Sequence, residues 1–212
     1  MLPFTVDEFF AVFVRYNEAV WPAQWALYGI GVAVVVLAWS SADNKNRWIC
    51  GLLGVLWIWM GIAYHVAQFS RINPLAYAFA AAFLLEGALF VWWGVRREAP
   101  SFSLRRGPKW LGALLIAYAL AGYPALSAAL GHRYPATPTF GVPCPTTIFT
   151  LGMLCLAAGP GTRALLVVPV LWAAIGGSAA FLLDVPQDLG LIAAAVFVLA
   201  AATLRSGSRR RR

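Results

Sequence analysis

The sequence predicts an all-α membrane protein with seven transmembrane helices, N-terminus outside and C-terminus inside, preceded by a short amphipathic helix on the outer side. Three observations predict it. Of the 212 residues, 61% are hydrophobic and 11% charged, against roughly 25% charged in soluble domains. The apolar residues fall into seven runs separated by short loops. Alternating these runs across a bilayer puts Lys45, Arg47, Arg96, Arg97, Arg105, Arg106, Lys109, Arg163, Arg205 and Arg209 to Arg212 on one side, 13 of the 16 Lys and Arg, and leaves Arg15, Arg71 and Arg133 on the other. Basic residues beside span ends stay in the cytoplasm, which sets the orientation.

The first element is the amphipathic helix, 5–19. Thr5 and Glu8 have the capping-box spacing. At 100° per residue Val6, Phe9, Phe10, Phe13, Val14 and Tyr16 share one face, opposite Asp7, Glu8, Arg15 and Glu18. Such a helix lies flat on the outer membrane surface or covers the bundle. Asn17 falls on its apolar side, which calls for a polar partner there.

The spans follow as 25–39, 49–69, 75–95, 110–130, 146–158, 165–183 and 189–204. Pro22, Pro74, Pro108, Pro145 and Pro186 stand before five of them as start signals. Trp21, Trp25, Trp39, Trp48, Trp92, Trp93 and Trp110 lie near the ends, as an aromatic belt places them. The fifth run is short: about 13 residues rise roughly 20 Å against a hydrocarbon core near 30 Å. A re-entrant reading would return Arg205 and the terminal arginines to the outer side, so a crossing is retained. Such a helix thins the bilayer or draws its preceding loop into the protein. That loop, 131–145, carries Pro135, Pro138, Pro143 and Pro145, which stiffen it as a cap.

One polytopic domain, 1–212, accounts for the whole mass and leaves no room for a second. Asp7 and Glu8, with no basic n-region, argue against a cleavable signal peptide. The net charge of +8 sits in loops and in the tail 205–212. It therefore indicates anionic lipid at the cytoplasmic face rather than nucleic acid. Three cysteines build no disulfide framework. No phosphate loop, nucleophile elbow or dinucleotide fingerprint occurs, and no internal repeat.

The loop segments Gly131-His132-Arg133-Tyr134-Pro135, Pro138-Thr139-Phe140-Gly141 and Pro143-Cys144-Pro145-Thr146-Thr147 stand with Leu2-Pro3-Phe4-Thr5, Tyr16-Asn17, Ala19-Val20-Trp21-Pro22, Tyr64-His65 and Ile72-Asn73-Pro74. Together they resemble a bacterial family of integral membrane proteins catalogued only as a domain of unknown function, number 6064. The proline-cysteine segment is the most specific part. The resemblance implies a bacterial inner (plasma) membrane location but no activity, cofactor or site.

The chemistry must come from the residues. Cys144, before Pro145 at a helix start, is placed where the dipole favours a thiolate; with His132 or Arg133 nearby it reads as a reactive thiol or soft-metal ligand, or as a small capping residue. His65 lies about four residues inside the second span on a face with Gly54, Trp57, Gly61 and Gln68. It is a candidate metal ligand or proton relay, with Tyr64 beside it, or makes a helix-to-helix hydrogen bond. His65, His132 and Cys144 suffice for a three-ligand metal site, and two histidines for an axial haem. Arg133, Tyr134, Thr146 and Thr147 complete the outer loop's polar set.

Glu86 is the one acid deep in a span, among Phe79, Phe83, Phe90 and Trp93; it is a candidate proton-titrating group, with Tyr118 and water as a path toward His65. Asp184 and Asp188 flank the turn Val185-Pro186-Gln187 and either draw cations or mark a helix stop and start. Gly176-Gly177-Ser178 with Ala173 and Ala180 forms a small-residue packing face.

The leading functional expectation is binding or transport of a small ligand or ion through an outward-facing site, without catalysis. A membrane redox enzyme using thiol, metal or haem is the alternative. A structural or accessory subunit, docking a homo-oligomer or another membrane protein, is the third reading.

Overall fold

The capping box forms as its spacing predicts. In the computed structural model, which describes residues 3–96, 99–103 and 109–210, Thr5 Oγ1 accepts from the Glu8 N–H at 3.2 Å. The Thr5 N–H in turn donates to the Glu8 carboxylate at 2.8 Å. This opens helix α1 (Val6–Val20). At Trp21 and Pro22 the chain bends by 91° into α2 (Ala23–Trp39). Thus α1 lies across one end of the bundle. Phe9, Val12, Phe13 and Tyr16 pack with Tyr64, Phe69, Val142 and Val185. The buried stripe is rotated from the predicted one: Val6 is exposed, while Val12 is buried. The helix faces protein on two flanks, which moves its buried centre toward Val12 and Tyr16.

The chain returns through α3 (Lys45–Trp59), which widens into a π-helical segment, Met60–Val66. After a short 3-10 turn comes α4 (Ala76–Val95). Glycines set how α3 and α4 meet. A β-carbon on Gly87 would stand 2.9 Å from the Gly54 carbonyl oxygen; one on Gly94 would stand 2.8 Å from Cys50 Cβ, and one on Gly61 3.3 Å from the Ala80 oxygen. The α4 positions 80, 87 and 94 ascend in steps of seven while their partners descend from 61 through 54 to 50, so the hairpin is antiparallel and its backbones approach closely along its length.

A two-residue strand β1 (Ser101–Phe102) pairs antiparallel with β2 (Ala157–Ala158). Between them lie α5 (Lys109–Ala117), a π-helical stretch Tyr118–Gly122, α6 (Tyr123–Ala129) and α7 (Pro143–Cys155). A break at Ser178 separates α8 (Val167–Gly177) from α9 (Ala179–Leu182), and α10 (Leu189–Arg210) closes the fold. The predicted small-residue face is used: a β-carbon on Gly177 would meet Ile192 Cγ1 at 2.6 Å.

All thirteen residues of α7 are buried, and α7 packs against α5, α8 and α10. A helix walled by protein on all sides need not match a bilayer's thickness. Its preceding loop is drawn inward as expected, and Thr137, Thr139, Phe140 and Val142 are buried.

The fold is all-helical apart from the β1–β2 pair. By length and composition, four helical stretches could cross a membrane: Lys45–Arg71, Ala76–Val95, Trp110–Ala129 and Ala164–Leu182; counting α1 and α2 as one bent span makes five. That is fewer than the seven the sequence predicts, because α2 has 17 residues and α7 has 13; Pro186–Ala202 is a further apolar stretch among the described residues. Arg97, Arg105, Arg106, Arg211 and Arg212, which enter the charge argument, lie outside the described residues; so does Leu2.

Contacts divide the molecule into two ends. The end of α2, the start of α3, β1, β2 and the start of α8 share one, where the Phe102 N–H donates to Asn46 at 2.9 Å. The other, the loop end, gathers α1, the 68–75 turn, the 130–142 loop and the 183–188 turn.

Candidate functional site

Two π-helical segments carry three of the predicted site residues to the loop end. A π turn adds a residue to the helical circuit and recurs at functional sites. One segment holds Tyr64 and His65; the other begins at Tyr118. Tyr64 is 3% exposed and His65 is fully buried. The His65 ring is walled by aromatic edges, with centroids at 4.5 Å from Phe83, 5.1 Å from Trp172, 5.3 Å from Tyr64 and 5.8 Å from Phe79. Neither ring nitrogen has a hydrogen-bond partner among the described residues.

Asp188 is the centre that the sequence reading assigned mainly to helix punctuation. Its side chain is 1% exposed, in the 3-10 turn before α10. The Tyr123 hydroxyl donates to one carboxylate oxygen, and the Cys144 thiol donates to the other at 3.5 Å. Both donors are neutral. Burial raises the Asp188 carboxyl from 3.8 to about 7, partly offset by these two donors. In the same turn, the Gln187 carbonyl accepts from the Tyr118 hydroxyl at 2.8 Å, while the buried Gln187 side-chain amide has no partner among the described residues. Tyr118 is thereby tied to the Asp188 turn.

Of the two readings of Cys144, the geometry favours the small residue packed at the helix start over the thiol beside a cation: it is 8% exposed and donates to a carboxylate, because Asp188 is folded over the start of α7. His132 sits beside α1. Its ring stacks on Phe10 at 3.8 Å and 4°, at the edge of the buried stripe of α1. Among the described residues no group of three or more His, Cys, Asp or Glu side chains is placed to hold a metal ion. His65, His132 and Cys144 are not brought together.

Asn17 finds the partners its position called for. Its amide donates to the carbonyls of Pro135 at 2.7 Å and Thr137 at 2.8 Å. Its carbonyl oxygen accepts from Thr139 Oγ1 at 2.8 Å, and Gln24 and Tyr134 donate to its main-chain oxygen. The proline-rich loop is thus bolted to α1. Nearby the Trp59 indole donates to the Tyr16 hydroxyl at 2.7 Å, which donates on to the Gly141 carbonyl at 3.2 Å. Gly141 has φ +103°, a conformation that glycine adopts without strain.

The remaining predicted residues divide. Thr146 Oγ1 accepts from the Gly141 N–H at 2.9 Å. Thr147 and Gln68 are buried, and neither the Thr147 hydroxyl nor the Gln68 carbonyl oxygen has a partner among the described residues. Arg133 and Asp184 are exposed on the loop-end surface. Glu86 is fully buried in α4, and neither oxygen has a hydrogen-bond partner among the described residues. The α3–α4 register puts it level with Val55, ten residues and about 15 Å of helix rise from His65. Tyr123 and Trp172 were missed; both looked like ordinary apolar-helix aromatics, and only the fold brings them to Asp188 and His65.

No curated protein and no solved structure matches the chain. A protein-family model does, over residues 6–211. The chain therefore belongs to the family described as Family of unknown function (DUF6064).

Proposed function

We propose that this chain is a multi-pass membrane protein that binds a small cation or solute at its loop end and couples that binding to proton uptake. One observation carries the reading: Asp188, His65 and Glu86 are all buried, none is paired with a cation among the described residues, and they follow one another from the loop end into the bundle. Intramembrane ionisable groups of this kind are costly and mark ion or proton pathways. Water-filled gaps that open during a transport cycle would join them, since static geometry leaves about 15 Å between His65 and Glu86.

In this reading the helices from α2 to α10 make seven alternating passes through a bacterial inner membrane, with α7 sheltered inside. Lys45, Arg47, Arg96 and Arg163 share one end, and Arg15, Arg71 and Arg133 the other. The bias of basic residues favours the cytoplasm for the first end and the outer side for the Asp188 site. Exposed Trp39, Trp48, Trp92 and Trp110 lie at helix ends on the first side, where an aromatic belt would put them.

The test is proton flux in proteoliposomes loaded with a pH-sensitive dye. Wild type should acidify the lumen under an imposed gradient, and folded Asp188→Asn and Glu86→Gln variants should lose most of that flux. Flux no greater than that of empty liposomes, or equal in both variants, would end the proposal.

A further inference from the structure

The one basic residue of α1 is not solvated as its place opposite the apolar face predicts. Arg15 is half-buried, and two of its guanidinium nitrogens, Nε and Nη2, are buried with no hydrogen-bond partner among the described residues. Those two nitrogens form one edge of the guanidinium plane and point their N–H bonds the same way. Such an edge takes two oxygens of one anion side by side. Burying it is costly unless an anion meets it. The acids at the loop end are engaged elsewhere or turned to solvent: Glu8 closes the capping box, Asp188 receives Tyr123 and Cys144, and Asp7, Glu18 and Asp184 are exposed.

The surroundings narrow the anion. Val12 and Tyr16, beside Arg15 on α1, are buried with Val142, Val185 and Tyr64. Tyr64 lies within electrostatic reach of both Arg15 and Asp188, which ties the arginine to the Asp188 site. We infer that the loop-end site takes a small carboxylate, its two oxygens on Nε and Nη2 of Arg15 and its remainder among the apolar and aromatic side chains beside Tyr64. This names the solute of the site proposed above and rests on that reading. A phosphate would bring a further oxygen and further charge that call for more donors. Of the other arginines at this end, Arg71 and Arg133 are exposed, and the Arg71 guanidinium is turned back onto the Ala67 carbonyl. A carboxylate is satisfied by the Arg15 edge alone.

The experiment is thermal unfolding of purified full-length protein in sodium acetate, sodium phosphate or sodium chloride at equal ionic strength, with phenylglyoxal modification of Arg15 read by mass spectrometry. In wild type, acetate should raise the unfolding temperature above that in chloride and should slow the modification of Arg15. Folded Arg15→Gln should lose the acetate effect. Arg15→Lys, which keeps the charge and loses the paired edge, should bind acetate about tenfold more weakly, the value of a hydrogen bond to a charged group. Arg133→Gln, at an exposed position of the same end, should retain the effect. Equal unfolding temperatures and equal modification rates in acetate and chloride would overturn the proposal, as would a larger effect of phosphate or an acetate effect that Arg133→Gln removes. If neither Arg15 variant folds, the modification rates of wild type decide the matter. Binding is read with no proton gradient, so lost flux with intact acetate binding counts against the coupling alone, and intact flux with no acetate binding counts against the carboxylate alone.

Discussion

Gly54 and Gly87 occupy each other's space across the α3–α4 interface: a β-carbon on either would stand within 3.0 Å of the other's carbonyl oxygen. Backbone cannot yield as a flexible side chain can. Gly87→Ala, whose β-carbon would also meet Ile58 Cγ1 at 2.6 Å, should therefore destabilise the protein by about 1–3 kcal/mol. Gly51→Ala is the control, with nothing within 4 Å of the added carbon. Reversible unfolding in detergent should separate the two, and equal stabilities would mean the helices do not meet as described.

Asn17 holds the outer loop with two donated bonds and one accepted bond. Asn17→Ala leaves two buried carbonyls without donors and should cost about 1–3 kcal/mol. Asn17→Asp should be at least as damaging, since a carboxylate would face those carbonyls. Proteolytic nicking between residues 131 and 142, measured on native protein, should rise in both variants and remain absent in wild type.

Asp188 gives a pH dependence with a definite sign. Its folded value of about 7 lies above the ordinary 3.8, so between these values the folded protein holds a proton that the unfolded chain has released. This contribution to stability is fully present below 3.8 and is lost as pH rises through 7. Asp188→Asn removes the titration. The stability of wild type should fall relative to Asp188→Asn between pH 4 and 7.5, and parallel curves would show that Asp188 is solvated.

All three cysteines are buried, and Cys144 donates to a carboxylate. Maleimide should therefore label none of them quickly in the native protein, while denaturation should expose all three. Rapid native labelling of Cys144 would restore the exposed-thiol reading.

Tyr123→Phe removes the hydroxyl that donates to Asp188. It should raise the pH at which Asp188 titrates, because one donor that favours the carboxylate is gone. Infrared difference spectroscopy of the carboxyl band would read the shift, and an unchanged midpoint would show that the hydroxyl does not face Asp188.

Elements marked by local chemistry were legible in the sequence: the capping box, the amphipathic helix, the proline-rich loop that folds inward, and the polar partner owed to Asn17. Buried placement of Tyr64, His65 and Glu86 also followed from apolar surroundings. What the sequence could not show was convergence. Asp188 is separated from Tyr123 and Cys144 by 65 and 44 residues, and a turn with Pro186 reads the same whether its aspartate faces water or protein. The metal trio failed for the reverse reason. His132 and Cys144 are near in sequence, but Gly131, with φ +97°, and the Asn17 contacts turn His132 toward Phe10. Seven apolar runs stand against four or five stretches long and apolar enough to span, because run length alone does not reveal where a helix stops, bends or is enclosed by its neighbours.

The enclosure of α7 has a consequence for assembly. On the multi-pass reading proposed above, a helix buried along all thirteen residues, Thr146, Thr147 and Thr150 among them, gains little by entering lipid alone. Its stable position is created by α5, α8 and α10, two of which are synthesised after it. The middle of the chain therefore waits for its end, and orientation reporters fused just after residue 158 should read both sides of the membrane, whereas fusions after residue 202 should read one.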